Sequence, residues 1–494
     1  MVIVIPVLVA LIHAGITLLL DADPVHDDTY IFLRYARNLV EGNGLVFNIG
    51  ERVEGFTSPA WVGLTACAMF LGLPALEILQ FVGLLAFAAA AGLTGRLARS
   101  LGSSTTLSIL AGCTVAASSS LLHHALSGMG AAAFAFALSS GFLFVIEEHR
   151  EGIVGGWRSG VWLGVATLIR PEGFGVALVL WVVSFLTLRS DHRRSSWLGV
   201  ALFSAPLVGY EVFRLAYYGA WLPNTFFAKV DAEPSVMSGL LYLAKGGIET
   251  PLWVLLAAVF AFGLRWPKEA MVGLAGVLSL LGWVTWIGGD YLPFARFLVP
   301  LIPMVAALAA AGLANQRPLI GFSWLGFAMM WASVPQFTMP NVRMPDRVVE
   351  RGRVAARWIA TNMPPETLVA TSAIGVIGAE GGTRILDMYG LVDAEIARNS
   401  DPTMKLSGHP GHKRGNPEAV LARRPDVILF GNNWVREIPM SEEALWANPA
   451  LLSLSERSIL LSDEFRNEYA IFNAQVEADR WFGMAIRRRG GSRE

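Results

Sequence analysis

Val25-His26-Asp27-Asp28-Thr29-Tyr30 follows the apolar run Met1–Leu20, and that junction decides the fold class. About 20 apolar residues in a helix are enough to cross the hydrocarbon core of a bilayer. Two adjacent carboxylates just beyond such a span stand at the membrane–water boundary. Charge near lipid is costly, so an acid kept there either sits in a solvated loop or has a task. One suitable task is general base catalysis on a hydroxyl presented at the membrane surface.

The rest of the composition agrees with a chain that crosses the membrane many times. Of 494 residues, 54% are hydrophobic and only 16% charged, where a soluble domain has about a quarter charged. A net charge of −1 gives no electrostatic footprint for nucleic acid. The two cysteines, Cys67 and Cys113, lie inside apolar runs and offer no disulfide framework or metal cluster. The first span has no Lys or Arg before it and no small-x-small cleavage site after it. It reads as a retained signal-anchor.

Apolar runs alternate with short polar connectors as far as Pro335, and beyond Met339 they stop. This divides the chain into a membrane domain, 1–339, with a first loop at 21–58, and a water-exposed α/β domain, 340–494. Thr367–Ser372, Arg384–Asp387 and Val427–Phe430 are its strand candidates. The positive-inside rule places Arg96/Arg99, Arg150/Arg158, Arg189/Arg193/Arg194, Arg265/Lys268 and Arg317 in the cytoplasm. His26–Ser58, His123–Gly130, Tyr217–Lys245, Gly288–Phe294 and the C-terminal domain then fall outside. Pro59–Leu73 is too short to span and reads as an interfacial or re-entrant helix. Val161–Leu188 is interrupted by Arg170-Pro171-Glu172-Gly173 and reads as a hairpin of two short helices. The expected total is about 11 transmembrane helices.

Every unusual polar cluster then lies on one side. The first loop, from Asp27 to Leu39, has helical spacing and is expected to lie as an amphipathic helix on the membrane surface. Arg170 and Glu172 form either a buried ion pair that pins a kink or part of a substrate site. Arg214, Tyr217, Tyr218, Asn224 and Lys229 could hold a phosphate and stack a sugar, or form an aromatic belt at the interface. Asp290 and Arg296 stand where a loop meets the next span, as a structural clasp or as a lipid-phosphate contact. No Walker loop, Ser-His-Asp order, zinc motif or Rossmann fingerprint offers a rival chemistry.

The string Asp27-Asp28-x-x-Ile31-x-x-Arg34-Tyr35-Ala36-x-Asn38-Leu39, with Gly50-Glu51-x-Val53-Glu54-Gly55-Phe56-Thr57-Ser58-Pro59-x-Trp61, resembles a known first loop. It is similar to that of the terminal arabinofuranosyltransferases of the mycobacterial cell wall and their bacterial relatives, which are class-C (GT-C) membrane glycosyltransferases. The resemblance continues at Arg170-Pro171-Glu172-Gly173, at Tyr217-Tyr218-Gly219 through Lys229, and at Gly288-Gly289-Asp290 with Arg296-Phe297. In the C-terminal domain it reaches Asp387-x-x-Gly390-Leu391-x-Asp393 and Gly411-His412. It departs at Gly130, where relatives often have Glu, and in lacking the longer C-terminal portion of the mycobacterial enzymes.

The resemblance implies a GT-C-like polytopic α-helical membrane protein with a C-terminal α/β extracytoplasmic domain. It further implies transfer of a sugar, arabinofuranose as the best guess, from a polyprenyl-phosphate donor to a glycan or other envelope acceptor outside the cytoplasmic membrane. Asp27 takes the role of base, with Asp28 as its neighbour. Lys229, Arg296 and Arg170 are the cations expected at the leaving phosphate. Arg34, Tyr35, Glu54, Glu172, Tyr217, Tyr218, Asn224 and Asp290 are the expected substrate contacts. Asp27, Asp28 and Asp290 could share a divalent cation, although no closed ligand set demands one. Another prenyl-linked sugar such as mannose, a protein or lipid acceptor, and a non-catalytic lipid-linked-sugar binder or transporter are the alternatives. A transporter of matched halves would show an internal repeat, and none is evident.

Overall fold

The computed structural model describes residues 1–20, 23–188, 194–229, 236–263, 267–338, 346–401, 414–432, 434–447 and 452–488. The connector residues Arg189, Arg193 and Arg265, the Gly411-His412 pair and the expected domain boundary at 339–340 lie outside these residues.

The membrane part begins with α1 (Val4–Leu19), α2 (Asp27–Val40), α3 (Pro59–Phe70) and α4 (Ala75–Ser100). There follow α5 (Thr105–Ala116), α6 (Ser119–Leu126), α7 (Ala131–Arg150), the short β1 (Ile153–Val154), α8 (Trp157–Ile169) and α9 (Glu172–Thr187). Next come β2 (Arg194–Ser195), α10 (Trp197–Tyr218), α11 (Asn224–Lys229), α12 (Val236–Glu249), α13 (Leu252–Phe262), α14 (Lys268–Ile287), α15 (Ile302–Leu313) and α16 (Pro318–Thr338). Among the described residues, five helices are long and apolar enough to cross a membrane, and seven if each bent pair counts as one span. The bent pairs are α5 with α6, at 50°, and α12 with α13, at 97°. Val4–Leu19, Pro59–Phe70, Glu172–Thr187 and Val299–Leu313 are shorter apolar helices. The 12 residues of α3 rise only about 18 Å, less than a bilayer core.

Burial sorts these helices. In α7, 83% of the apolar window is inside the protein, and every residue of α15 is buried. In α10 the figure is 11%, and its outward Val208 and Val212 meet what a soluble fold would not leave bare. Small residues let backbones approach closely, as they do where packing rather than water drives helix association. A Cβ on Gly160 of α8 would lie 2.2 Å from the Gly199 carbonyl of α10, so neither position tolerates a larger side chain. The chain breaks at Arg170-Pro171, and Gly173 at the start of α9 turns back against Ala166 and Thr167 of α8.

The C-terminal domain starts with α17 (Arg347–Asn362), then β3 (Leu368–Thr371), α18 (Gly375–Gly381), β4 (Arg384–Asp387), α19 (Ala394–Arg398) and α20 (Pro417–Ala422). It ends with β5 (Val427–Leu429), β6 (Val435–Arg436), α21 (Glu442–Ala447), α22 (Leu454–Leu461), α23 (Asp463–Glu468), β7 (Tyr469–Glu477) and β8 (Arg480–Arg487). The sheet order is β4-β3-β5-β8-β6, with β7 on β8. Its first three strands are parallel, and β8 runs antiparallel to β5. The three strand candidates of the sequence are β3, β4 and β5.

The first loop does not lie on lipid as expected. Its helix α2 buries Tyr30, Ile31, Phe32, Leu33, Tyr35 and Ala36, because α3 covers it on one side and α18 on another. Asp27 makes the contact with the start of α18, and Arg34 and Arg37 donate to its Gly378 and Ala379 carbonyls. The Oδ2 of Asp27 accepts the Gly375 N–H at 2.9 Å and its Oδ1 accepts the Val376 N–H at 2.8 Å. These two N–H groups open α18 and have no partner within that helix. A Cβ on Gly375 would stand 1.9 Å from the backbone oxygen of Asp27. Gly375→Ala is therefore expected to loosen the domain from α2. It should cost about 1–3 kcal/mol, the usual range for overpacking. The readouts are a lower thermal midpoint in detergent and faster proteolysis of the C-terminal domain. Gly326→Ala, whose Cβ would meet nothing within 4 Å, should leave both unchanged.

Candidate functional site

The two acids of the first loop face different ways because consecutive helical residues are about 100° apart. Asp27 points at the C-terminal domain. Burial pushes its carboxyl up to about 7, against the two N–H bonds that lower it. Asp28 points at the membrane domain, where its Oδ2 lies 3.4 Å from Nη1 of Arg296. Arg296 is buried, and its Nε also pairs with Asp290 Oδ2 at 2.6 Å. Burial works against the charge of Arg296, but Asp290 and Asp28 outweigh it and hold the guanidinium above its ordinary value. The other oxygen of Asp290 accepts the Tyr291 N–H at 2.8 Å.

The connector that carries Asp290 and Arg296 is strained. Phe294 and Ala295 have φ of 59° and 49°, a region that residues with a Cβ rarely enter. Arg296 caps the resulting turn by lying 5.2 Å from the Phe297 ring centroid. Arg170, at the break between α8 and α9, lies 4.9 Å from the same centroid. Two arginines from distant parts of the chain thus converge on one ring. Arg170 is paired with Glu172, so that expected clasp exists and stands beside the Asp28–Arg296 pair.

Other expected site residues make hydrogen bonds within the protein. Arg34 donates to the carbonyls of Phe47 at 2.7 Å and Thr383 at 2.8 Å, and also to that of Gly378. The Tyr35 hydroxyl donates to Val53 O at 2.6 Å and accepts the Gly55 N–H at 2.8 Å. Glu54 is buried and receives the Tyr210 hydroxyl at 2.6 Å and Arg214 Nε at 2.7 Å. Tyr217 accepts the Leu45 N–H and Tyr218 donates to the Leu45 carbonyl. Asn224 donates to the carbonyls of Gly390 and Leu391. These six residues fasten the first loop on itself, to α10 and to the C-terminal domain, and most of their polar atoms have protein partners, while the buried Oδ1 of Asn224 makes no hydrogen bond. Lys229 is exposed at the end of α11. The shared-cation arrangement of Asp27, Asp28 and Asp290 is also altered. Arg296 stands between Asp28 and Asp290, and Asp27 faces backbone.

Three buried histidines next to this site were not singled out in the sequence. They are His26, which precedes the acid pair, and His123 and His124 of α6. The signal available was the proximity of His26 to Asp27 and the adjacency of the other two. Gly130 lies nearby in a tight space, where a Cβ would be 3.0 Å from Ile169 and 3.3 Å from the Trp61 ring.

Chemically, the arrangement offers a carboxylate, Asp28, beside two cations on one aromatic ring. Such a set can take a proton from a hydroxyl and stabilise an anionic leaving group.

Residues 341–482 match a family model described as a domain of unknown function, DUF8728. The chain is 29% identical over 337 residues to the terminal beta-(1->2)-arabinofuranosyltransferase of Mycobacterium tuberculosis, covering 57% of this chain and 51% of the relative. It is 27% identical over 328 residues to that of Corynebacterium glutamicum, covering 57% and 47%. The chain thus spans about half the length of the curated relatives it matches. Among solved structures, ArnT from Cupriavidus metallidurans bound to undecaprenyl phosphate matches with a TM-score of 0.59 at 14% identity, covering 97% of both chains. The oligosaccharyltransferase AglB from Archaeoglobus fulgidus, in complex with an inhibitory peptide and a dolichol-phosphate, matches at 0.53 and 10%, covering 97% of this chain and 74% of that one. Arabinofuranosyltransferase AftD from Mycobacteria matches at 0.51 and 15%, covering 97% and 40%. The fold is that of the GT-C membrane glycosyltransferases.

Removing one member of a buried ion pair leaves an uncompensated charge and costs about 3–5 kcal/mol. Arg296→Met is expected to lower the thermal midpoint more than Asp290→Asn does. The double variant should recover part of the loss, since residues in one network couple by about 0.5–3 kcal/mol. Strictly additive losses would mean that the clasp does not hold this connector.

Proposed function

We propose that this protein is a membrane glycosyltransferase that moves a sugar, arabinofuranose first among candidates, from a polyprenyl-phosphate donor to an envelope glycan acceptor. The observation that carries this reading is the pairing of Asp28 with Arg296, beside Arg170 on the shared ring of Phe297. The donor already carries its leaving group, so no nucleotide fold is required. The acceptor hydroxyl attacks the anomeric carbon, its proton passes to Asp28, and the sugar–phosphate bond breaks. The negative charge left on the polyprenyl phosphate is stabilised by Arg296 and Arg170. A phosphate drawing on Arg296 competes with Asp28 for the guanidinium and leaves that carboxylate more basic. The sugar is supported by the two curated relatives, which are named for arabinofuranosyl transfer.

Asp28 is preferred to Asp27 as base because both oxygens of Asp27 already accept backbone N–H groups. Asp28→Asn should reduce transfer from a synthetic polyprenyl-phosphate arabinofuranose by about 10²–10⁴-fold, the range for a lost general base. Its thermal midpoint should fall less than that of Arg296→Met, because Asp290 still pairs with the guanidinium. Asp27→Asn should lower the midpoint by releasing α18. Full loss of transfer in Asp27→Asn, with Asp28→Asn active, would return the role of base to Asp27.

The reading also sets the site on the extracytoplasmic face of the cytoplasmic membrane. Arg96, Arg150 and Arg158 gather with Glu147, Glu151 and Glu269 away from the acid pair, as cytoplasmic connectors would. In a background of Cys67→Ala and Cys113→Ala, cysteines at exposed Glu41 and Asn399 should react with an impermeant thiol reagent in intact cells. A cysteine at exposed Ser195 should react only after permeabilisation. The reverse pattern would place the site in the cytoplasm.

A further inference from the structure

We propose that His26, His123 and His124 form a tri-histidine site for a zinc ion that clamps the start of α2 to α6. The three rings are 4%, 2% and 0% exposed, and one ligand nitrogen from each lies within 4.8 Å of the others. Nε2 of His26 is 3.0 Å from Nε2 of His123. Zinc–nitrogen bonds of about 2.0–2.1 Å in a tetrahedral site set ligand nitrogens about 3.4 Å apart. An ion would therefore open this pair by only a few tenths of an ångström.

A hydrogen-bonded cluster of neutral rings is the rival account, and His124 argues against it. Neither Nδ1 nor Nε2 of His124 makes a hydrogen bond of ordinary geometry within the protein, although the residue is fully buried and the Phe294 backbone stands within reach of the ring. A buried polar group left without a partner costs about 1–3 kcal/mol, and a metal ion would satisfy it.

The surroundings resemble those of a metal ligand set. Nδ1 of His26 faces Asp346 Oδ2 at 3.7 Å, which leaves Nε2 to the ion and the carboxylate to orient the ring. The other oxygen of Asp346 accepts the Val348 N–H at 2.9 Å and so anchors the carboxylate to α17. Phe294 packs on His123 with centroids 4.6 Å apart and shields the site from the loop side. Arg296 brings a positive charge near His124, but Asp290 and Asp28 balance it. Three imidazoles without thiolates or oxygen ligands suit zinc rather than magnesium or calcium. The ion would tie three elements together, since His26 caps α2, His123 and His124 belong to α6, and Asp346 caps α17. That fixes the residue immediately before the acid pair without giving the metal a part in sugar transfer.

The test uses full-length protein purified in detergent with a histidine-free affinity tag, and its readouts are independent of transfer. After exposure to zinc and dialysis, elemental analysis should find about one zinc per chain. A chelator should lower the thermal midpoint, and zinc but not magnesium should restore it. Cobalt in place of zinc should give the visible absorption of a four-coordinate site. His124→Gln should lose the metal. Asp346→Asn keeps all three ligands and the oxygen that caps α17, and should weaken zinc binding about 10–100-fold. If His124→Gln does not fold, the Asp346→Asn titration and the cobalt spectrum decide. Wild-type protein that retains no zinc, or zinc affinity unchanged in Asp346→Asn and His124→Gln alike, would overturn the proposal.

Discussion

The bond from the Asp27 carboxylate to the Gly375 and Val376 N–H groups joins parts of the chain almost 350 residues apart, and the rest of the site is arranged around it. A helix N-terminus presents unpaired donors and a partial positive charge, which suits an anion. Here the anion comes from the membrane domain and the helix from the C-terminal domain. Once Asp27 is fixed, α2 cannot rotate about its axis. Asp28, about 100° further round the helix, then faces the membrane domain. Tyr30 and Arg353, Asn48 and Ile385, and Glu51 and Arg384 continue the same seam. The C-terminal domain is therefore part of what shapes the acid pair.

Charge balance governs what lies on the other side of α2. Arg296 is buried with two carboxylates, half-buried Arg170 pairs with one, and both guanidiniums lie against the Phe297 ring. Burying such groups costs more than an apolar core of the same size would, so stability alone does not account for them. The strain at Phe294 and Ala295 points the same way, since unfavourable backbone of about 1–3 kcal/mol per residue persists where surrounding structure holds it for function. Cations fixed in advance need not reorganise when an anion binds beside them.

The histidine cluster touches both arrangements. His26 immediately precedes Asp27, while His123 packs on strained Phe294. Whatever holds these rings together also sets the distance between the first loop and the connector that carries Arg296.

The sequence by itself determined the membrane character, the limits of the C-terminal domain's first strands, the break at Arg170-Pro171 and the polar clusters that hold the site. These are local properties, written in hydropathy, in β-branched runs and in a proline that cannot continue a helix. It also pointed to Asp27 and Asp28 as a pair. It could not divide their roles, because that depends on which way α2 faces once α18 has docked. For the same reason Arg34, Tyr35, Glu54, Tyr217, Tyr218 and Asn224 read as substrate contacts. Their polarity is visible in the sequence, whereas the backbone carbonyls, N–H groups and charged partners that occupy them are supplied by distant segments. Only the tertiary structure brought His26 to His123 and His124, and Arg170 to Arg296, because contacts across 97 residues or more are set by packing and leave no local pattern.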